Sequence, residues 1–398
     1  MRIRKVEATA VNIPFRAPYR ARRWRSGKAS TASYTKTVVE VHTDEGLVGL
    51  GEAADGDRVA TIERLGERLV GLDPLDLNEC EARCLPGDAY HLQLNLLGLR
   101  RAFGAIEMAL WDLRGKVEGR PLYALLGGAV RRQIPFTEYF SYRLASAEGP
   151  GEWTPLDVAR YCARMVEEYE SPSFEGKVAV FPLAQEVEMV REVRRAIGED
   201  RELRLDANGG WTLATAREAV TRLAPYHVQV LEEPVRTFEE LARLRPHTSI
   251  AFSAHEPDLR RAVHLGVPDY FVQTIPELGG IRRTVEFVAA CELLGFGFWF
   301  YSGDTGVASA AYLHLAAALE PLRRPSQALF RWMADDVIAE GPFAPYRGTV
   351  PVPEAPGLGV TLDRKALERC HQRYCAEGAF PSADARLPSD RLGPVAPF

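Results

Sequence analysis

Leu203-Arg-Leu-Asp-Ala-Asn-Gly-Gly-Trp211 is the stretch from which the rest of the chain can be read. A short strand, Leu203 to Asp206, runs into a Gly-Gly turn, and a helix follows Thr212 with Leu213-Ala-Thr-Ala-Arg-Glu-Ala-Val220. Alternate side chains of a strand share a face, so Arg204, Asp206 and Asn208 point one way and Leu203 and Leu205 the other. A carboxylate at a strand end often caps the next helix. Thr212 is better placed for that task, which leaves Asp206 for another: first ligand of a divalent metal.

The same strand-turn-helix unit repeats around it. Strands are expected at Ile134–Phe140, Phe174–Val180, Glu202–Asp206, Val228–Glu232, Ser249–Ser253, Tyr270–Thr274, Phe296–Tyr301 and, more weakly patterned, Ala328–Trp332. The intervening segments have helical signals, such as the Thr237-Phe-Glu-Glu240 capping box and the apolar stripe Val187, Val190, Val193, Ile197. One βα unit per ~25 residues points to a parallel sheet. Eight of them within ~200 residues favour a closed barrel over an open sheet. No GxGxxG or P-loop follows any strand, against a nucleotide-binding sheet.

Before this block, Val6–Ile13, Tyr34–His42 and Leu47–Glu52 read as an antiparallel sheet with a tight turn at Asp44-Glu45-Gly46. Residues 59–126 then change to helical period. The expected organisation is an N-terminal α+β capping domain (1–128), a barrel domain (129–345) and a C-terminal segment (346–398) that packs back on the first domain. That segment is Pro-rich and has one further helix at Asp363–Tyr374.

Between the first two strands, Arg16–Lys28 holds five Arg, one Lys and no acid, with Tyr19 and Trp24 among them. Such a loop is either solvated surface or a clamp for an anionic small molecule, with Arg20, Arg23 and Trp24 as contacts. A net charge of −5 with 26% charged residues gives no reason to expect nucleic acid or a membrane surface. Met1-Arg-Ile-Arg-Lys5 lacks the apolar run of a signal peptide, so a cytoplasmic location is expected. Six scattered cysteines, Cys80, Cys84, Cys162, Cys291, Cys370 and Cys375, read as buried or idle thiols.

Catalytic residues of a barrel gather where its strands end. Those ends supply Lys177, Asp206, Glu232-Glu233, Ser253 with His255, Thr274, and Tyr301 followed by Asp304. Converging carboxylates imply a cation, Mg²⁺ by its preference for oxygen, or Mn²⁺ if a His joins. A metal clamped on a carboxylate stabilises the charge that appears when the adjacent C–H proton leaves, and a lysine can take that proton. The plainer reading of Lys177 is an ion pair with Glu175 on the same strand face.

These residues resemble the mandelate racemase/muconate-lactonising branch of the enolase superfamily, over nearly the whole chain. Ala105-Ile-Glu-Met-Ala-Leu-Trp-Asp-Leu-Arg-Gly-Lys116 and Gly119-Arg-Pro-Leu-Tyr-Ala-Leu-Leu-Gly-Gly128 look like the signature that ends its capping domain. Arg204–Trp211 and Leu231-Glu-Glu-Pro234 match its first two metal motifs and imply Asp206 and Glu232 as ligands. The resemblance implies an α/β fold, a modified (β/α)₇β TIM-like barrel under an α+β cap, a carboxylate substrate and a homo-oligomer. Within the family, residues 173–340 look most similar to glucarate-type acid-sugar dehydratases.

The chain also departs from that pattern. The family's Lys-x-Lys is Glu175-Gly-Lys177, which keeps the lysine implied as base and puts Glu175 toward the substrate. Ser253 stands at the third metal position, with His255 two residues on as the other possible ligand. Thr274 and Tyr301 occupy the places of a His–Asp dyad. Racemisation needs a base on each face of the substrate, whereas elimination needs one base and a proton donor, for which Tyr301, Asp304 or His255 are available. The expectation is a Mg²⁺-dependent dehydratase that makes a 2-keto acid. Asn208 and Glu233 would orient the ligands. The alternatives are an epimerase, racemase or lactonising enzyme, and an acid-binding member that has lost its chemistry.

Overall fold

The computed structural model describes residues 1–20, 30–54, 56, 58–85, 93–301, 303–327 and 329–381, and the side chains of 93–97 are not among them. Strands β1 (Ile3–Arg20), β2 (Ser30–Thr43) and β3 (Val48–Ala53) form one antiparallel sheet in that order. Helices Val59–Glu67, Leu77–Cys84 and Gln93–Glu118 follow. The long helix lies so near β3 that a Cβ on Gly51 would stand 2.0 Å from Ala105 O, and one on Gly49 2.1 Å from Ala109 O. Only glycine at these alternate positions lets sheet and helix backbones touch.

The same helix is tied to the barrel through its carboxylates. Glu107 accepts from Ile281 N (2.6 Å) and Arg282 N (3.0 Å), which caps helix Ile281–Leu294 from another domain. Asp112 accepts from Leu50 N (2.8 Å) and Leu358 N (2.7 Å), joining three distant parts of the chain.

The barrel strands are β5 (Glu138–Phe140), β6 (Ser173–Lys177), β7 (Glu202–Asp206), β8 (Val230–Glu232), β9 (Ala251–Ala254), β10 (Tyr270–Gln273) and β11 (Gly297–Phe300), all parallel and in sequence order. Thr212 and Thr237 cap the next helices as expected, accepting from Thr215 N and Glu240 N at 3.2 Å each. The predicted strand Ile134–Phe140 is broken into β4 (Gln133–Pro135) and β5, because Pro135 has no N–H for a ladder. β4 instead pairs antiparallel with β12 (Thr349–Pro351).

No eighth strand forms at Ala328–Trp332. Phe330–Trp332 is a 3₁₀ turn, and position 328 lies outside the described residues. Closure falls to Ser326 and Gln327. Ser326 bonds Pro135 O (3.0 Å) and Thr137 N (2.9 Å), and Gln327 N bonds Phe300 O (3.0 Å). Helix Gly306–Ala318 has no polar face, since Gly306 to Ala317 are all buried between barrel and cap.

The helix expected at Asp363–Tyr374 runs Arg364–Glu377, with Asp363 as its cap. It lies on β1, where His371 Nδ1 meets Ala10 O at 2.8 Å. All six cysteines are free, and only Cys375 is exposed. Among the described residues no helix is long and apolar enough to cross a membrane.

Candidate active site

Parallel pairing sets Lys177 beside Asp206, Asp206 beside Glu232, and Glu232 beside Ser253. Residues in register on neighbouring strands are about 4.8 Å apart and point to the same side. The four side chains therefore form one row inside the barrel at the strand ends, and all four are buried. Glu175 and Arg204, also paired, make a second level two residues below. Arg204 stacks on Trp299, 4.3 Å from the ring centre, and approaches Glu175 to 3.8 Å.

Lys177 is paired with Asp206 and not with Glu175 as the plainer reading had it. Burial opposes its charge, but Asp206, Tyr19, Glu232 and Tyr34 outweigh that and hold its pKa above the ordinary lysine value. Asn208, at a left-handed φ of 46°, donates to both Asp206 oxygens, N to Oδ1 (2.8 Å) and Nδ2 to Oδ2 (3.0 Å). His255 Nε2 stands 2.9 Å from Glu232 Oε1, and the His255 backbone N–H donates to Glu233 Oε1 at 3.2 Å. Burial works against a charged His255, yet Glu233, Glu232 and Asp206 raise its pKa to about 10.

The donor set suits a hard cation. Burial and mutual repulsion push the Glu175 and Glu232 carboxyls above their usual range, a strain that a bound cation relieves. Ser253 Oγ is buried in the same row with no hydrogen-bond partner among the described residues. A separate trio on the capping sheet, Glu7, Glu40 and His42, also brings three ligand atoms within 4.8 Å. Its members are already matched, His42 Nε2 to Glu7 at 2.8 Å, Lys5 to Glu7 at 2.7 Å and Arg364 to Glu40 at 2.7 Å.

Three contributors, Gln327, Tyr34 and Lys36, escaped the sequence reading, and Tyr19 was read only as part of the basic loop. Gln327, in the closing segment, donates Nε2 to Glu175 Oε1 (2.5 Å) and Glu232 Oε2 (2.6 Å). Tyr19 and Tyr34 of the capping sheet share a hydroxyl hydrogen bond and sit within electrostatic reach of Lys177. Lys36, also on that sheet, pairs with Asp304. The alternation Tyr34-Thr-Lys36 was the available signal, since it puts both side chains on one face of β2.

The remaining predicted residues divide. Arg20 is no part of a solvated loop. It is the last residue of β1, pairs with Ser30 and lies buried with its guanidinium 4.6 Å from the Phe181 ring centre. Its strand continues because Arg16–Arg20 stays in extended backbone beside Ser30 and Thr31. Arg23 and Trp24 lie outside the described residues. Tyr301 meets His255 edge to face at 5.7 Å. Thr274 caps helix Ile275–Leu278, accepting from Glu277 N at 3.2 Å. Asp304 is buried, with one oxygen on Lys36 and the other on the Tyr312 hydroxyl.

A cap of sheet and helices over a parallel barrel, with lysine and carboxylates in register at the strand ends, places the chain among the capped-barrel folds. The chain belongs to the mandelate racemase/muconate lactonizing enzyme family: residues 5–127 match its N-terminal domain and residues 157–366 match the enolase C-terminal domain-like family. It is 28% identical over 369 residues to a probable glucarate dehydratase of Streptomyces coelicolor, covering 85% of each chain. It is 29% identical over 385 residues to a chloromuconate cycloisomerase of Cupriavidus necator, covering 91% of this chain and 97% of the other. Among solved structures, an enolase of Pseudomonas fluorescens Pf0-1 with bound magnesium, potassium and tartrate superposes with a TM-score of 0.84 at 25% identity, over 98% of this chain and 96% of that one. The family relatives thus include both dehydratases and cycloisomerases.

Proposed function

We propose that the chain is a divalent-metal-dependent lyase that removes the proton α to a carboxylate and dehydrates a hydroxylated acid to a 2-keto acid. The observation that carries this is the register row Lys177–Asp206–Glu232–Ser253. Asp206 and Glu232 would hold Mg²⁺, with Ser253 or His255 as third ligand. Held there, the ion would supply charge stabilisation for a developing enolate and would offset the negative charge that keeps Lys177 protonated. Lys177 then acts as base. Asn208 keeps the Asp206 carboxylate aimed through its two hydrogen bonds. Glu233 positions the His255 backbone, and Glu175 with Arg20 would face the substrate. Arg23 and Trp24 of the basic segment would join Arg20, and Tyr301 and Asp304 border the leaving-group side.

The substrate class rests on kinship with glucarate and D-galactonate dehydratases and on the tartrate bound in solved relatives. The test is α-proton exchange in D₂O with Mg²⁺ and tartrate, glucarate or D-galactonate, followed by ¹H NMR. Lys177→Ala should abolish exchange while metal still binds, and retained exchange would sink the assignment. Ser253 in place of an acidic ligand favours a second reading, an acid-binding member without chemistry. Failure of the wild-type protein to bind Mg²⁺ or Mn²⁺ in a titration would select it.

A further inference from the structure

We propose that Lys36 is the proton donor to the departing hydroxyl, held for that task by Asp304; the proposal rests on the dehydratase reading above. Lys36 comes from β2 in the cap and Asp304 from the loop after β11, the seventh barrel strand, whereas Lys177 ends the second. The two lysines thus come from different domains, and Tyr34 is within electrostatic reach of both.

The pair is built and not incidental. Asp304 accepts from Lys36 with one oxygen and from the Tyr312 hydroxyl with the other, so it serves as an acceptor and the transferable proton is on Lys36. The loop that carries Asp304 is fixed by Glu52, whose carboxylate accepts from Thr305 N and Ala308 N at 3.0 Å each. Lys36 Nζ lies 5.5 Å from the Tyr34 ring centre. Gly303, at φ 147°, stands where a Cβ would meet the Tyr34 ring at 2.3 Å and the Tyr301 hydroxyl at 3.3 Å. Tyr301 in turn meets His255. A continuous wall, His255–Tyr301–Gly303–Tyr34–Lys36, thus leads from the Glu232 end of the row to Asp304.

Charge fits the role. Burial opposes the Lys36 ammonium, but Asp304 and Glu52 outweigh it and raise its pKa, so Lys36 is held protonated and gives its proton only to a stronger base such as a departing hydroxide. In the step, the α proton passes to the neutral Lys177 amine and its electron pair becomes the new C=C bond. The C–O bond at the β carbon breaks with its pair on oxygen, which takes a proton from Lys36 and leaves as water. The enol tautomerises to the 2-keto acid, and solvent returns the proton from Lys177 to Lys36. The substrate has lost one water and the enzyme is unchanged.

The experiment compares wild type, Lys36→Met and Lys36→Met/Asp304→Asn, the double variant removing the orphaned carboxylate. Each is assayed with Mg²⁺ on whichever of tartrate, glucarate or D-galactonate the wild type exchanges, and on the 3-deoxy-3-fluoro analogue of that acid, whose fluoride leaves without protonation. The expected result is α-deuterium exchange within about threefold of wild type, water loss lowered about 100-fold or more, and fluoride release close to wild type. Retained exchange also reports an intact fold. Wild-type water loss in Lys36→Met would overturn the proposal and leave the dehydratase reading standing. Parallel loss of exchange and elimination in both variants would overturn it too, making Lys36 a structural pair. No exchange by the wild type on any of the three acids would overturn the reading itself, and this proposal with it.

Discussion

Gln327 Nε2 lies 2.6 Å from Glu232 Oε2, across the seam that closes the barrel. The same nitrogen donates to Glu175, so one amide serves two buried carboxylates. Gln327→Leu should leave both without that donor and lower the stability of the metal-free protein by about 3 kcal/mol. Added Mg²⁺ should recover part of the loss. Urea unfolding with and without MgCl₂ measures both, and an unchanged midpoint would show that the amide does not stabilise these carboxylates.

Ser253 is the weakest donor of the row, a hydroxyl where the two preceding strands bring carboxylates. Ser253→Asp should lower the melting temperature of the metal-free protein through repulsion with Glu232. It should also tighten Mg²⁺ binding about tenfold, or 1.4 kcal/mol. Calorimetric titration decides. Unchanged affinity would transfer the third-ligand role to His255.

His314 is buried, accepts from Tyr123 N through Nδ1 (3.3 Å) and donates from Nε2 to Leu358 O (3.0 Å), a neutral tautomer. Burial pushes its pKa down to about 4 from 6.5. The unfolded chain therefore binds a proton that the folded chain refuses between those values. Stability from this group is full above pH 6.5 and falls as pH drops to 4, by about 3 kcal/mol in all. His314→Gln cannot titrate, so the stability difference between wild type and variant should shift by that amount over this window in denaturant titrations at stepped pH.

The barrel was legible because its rhythm is local. Each strand is a few residues bounded by turn residues and followed by a capped helix, as Glu202–Asp206 and Thr212 show. The grouping of Lys177, Asp206, Glu232 and Ser253 could be read for the same reason, since strand ends align once strands are parallel and in register. Lys36 could not be. Its partner Asp304 is 268 residues away, and nothing local distinguishes a buried ammonium from a solvated one. Gln327 lies in a two-residue segment too short for any period. For Arg20 the sequence left two readings, solvated surface or anion clamp, because a run of arginines does not show which one packs inward, as Arg20 does on Phe181.

The seam at Ser326–Gln327 also has a consequence for how the chain is made. A ribosome delivers β5 through β11 before it delivers residue 326, and a chain that ends between them leaves the flanks of β5 and β11 with unpaired backbone groups. Such open flanks can recruit strands from other molecules. A message truncated shortly before codon 326 should therefore yield an aggregating product, while the intact chain seals both flanks at once with two residues.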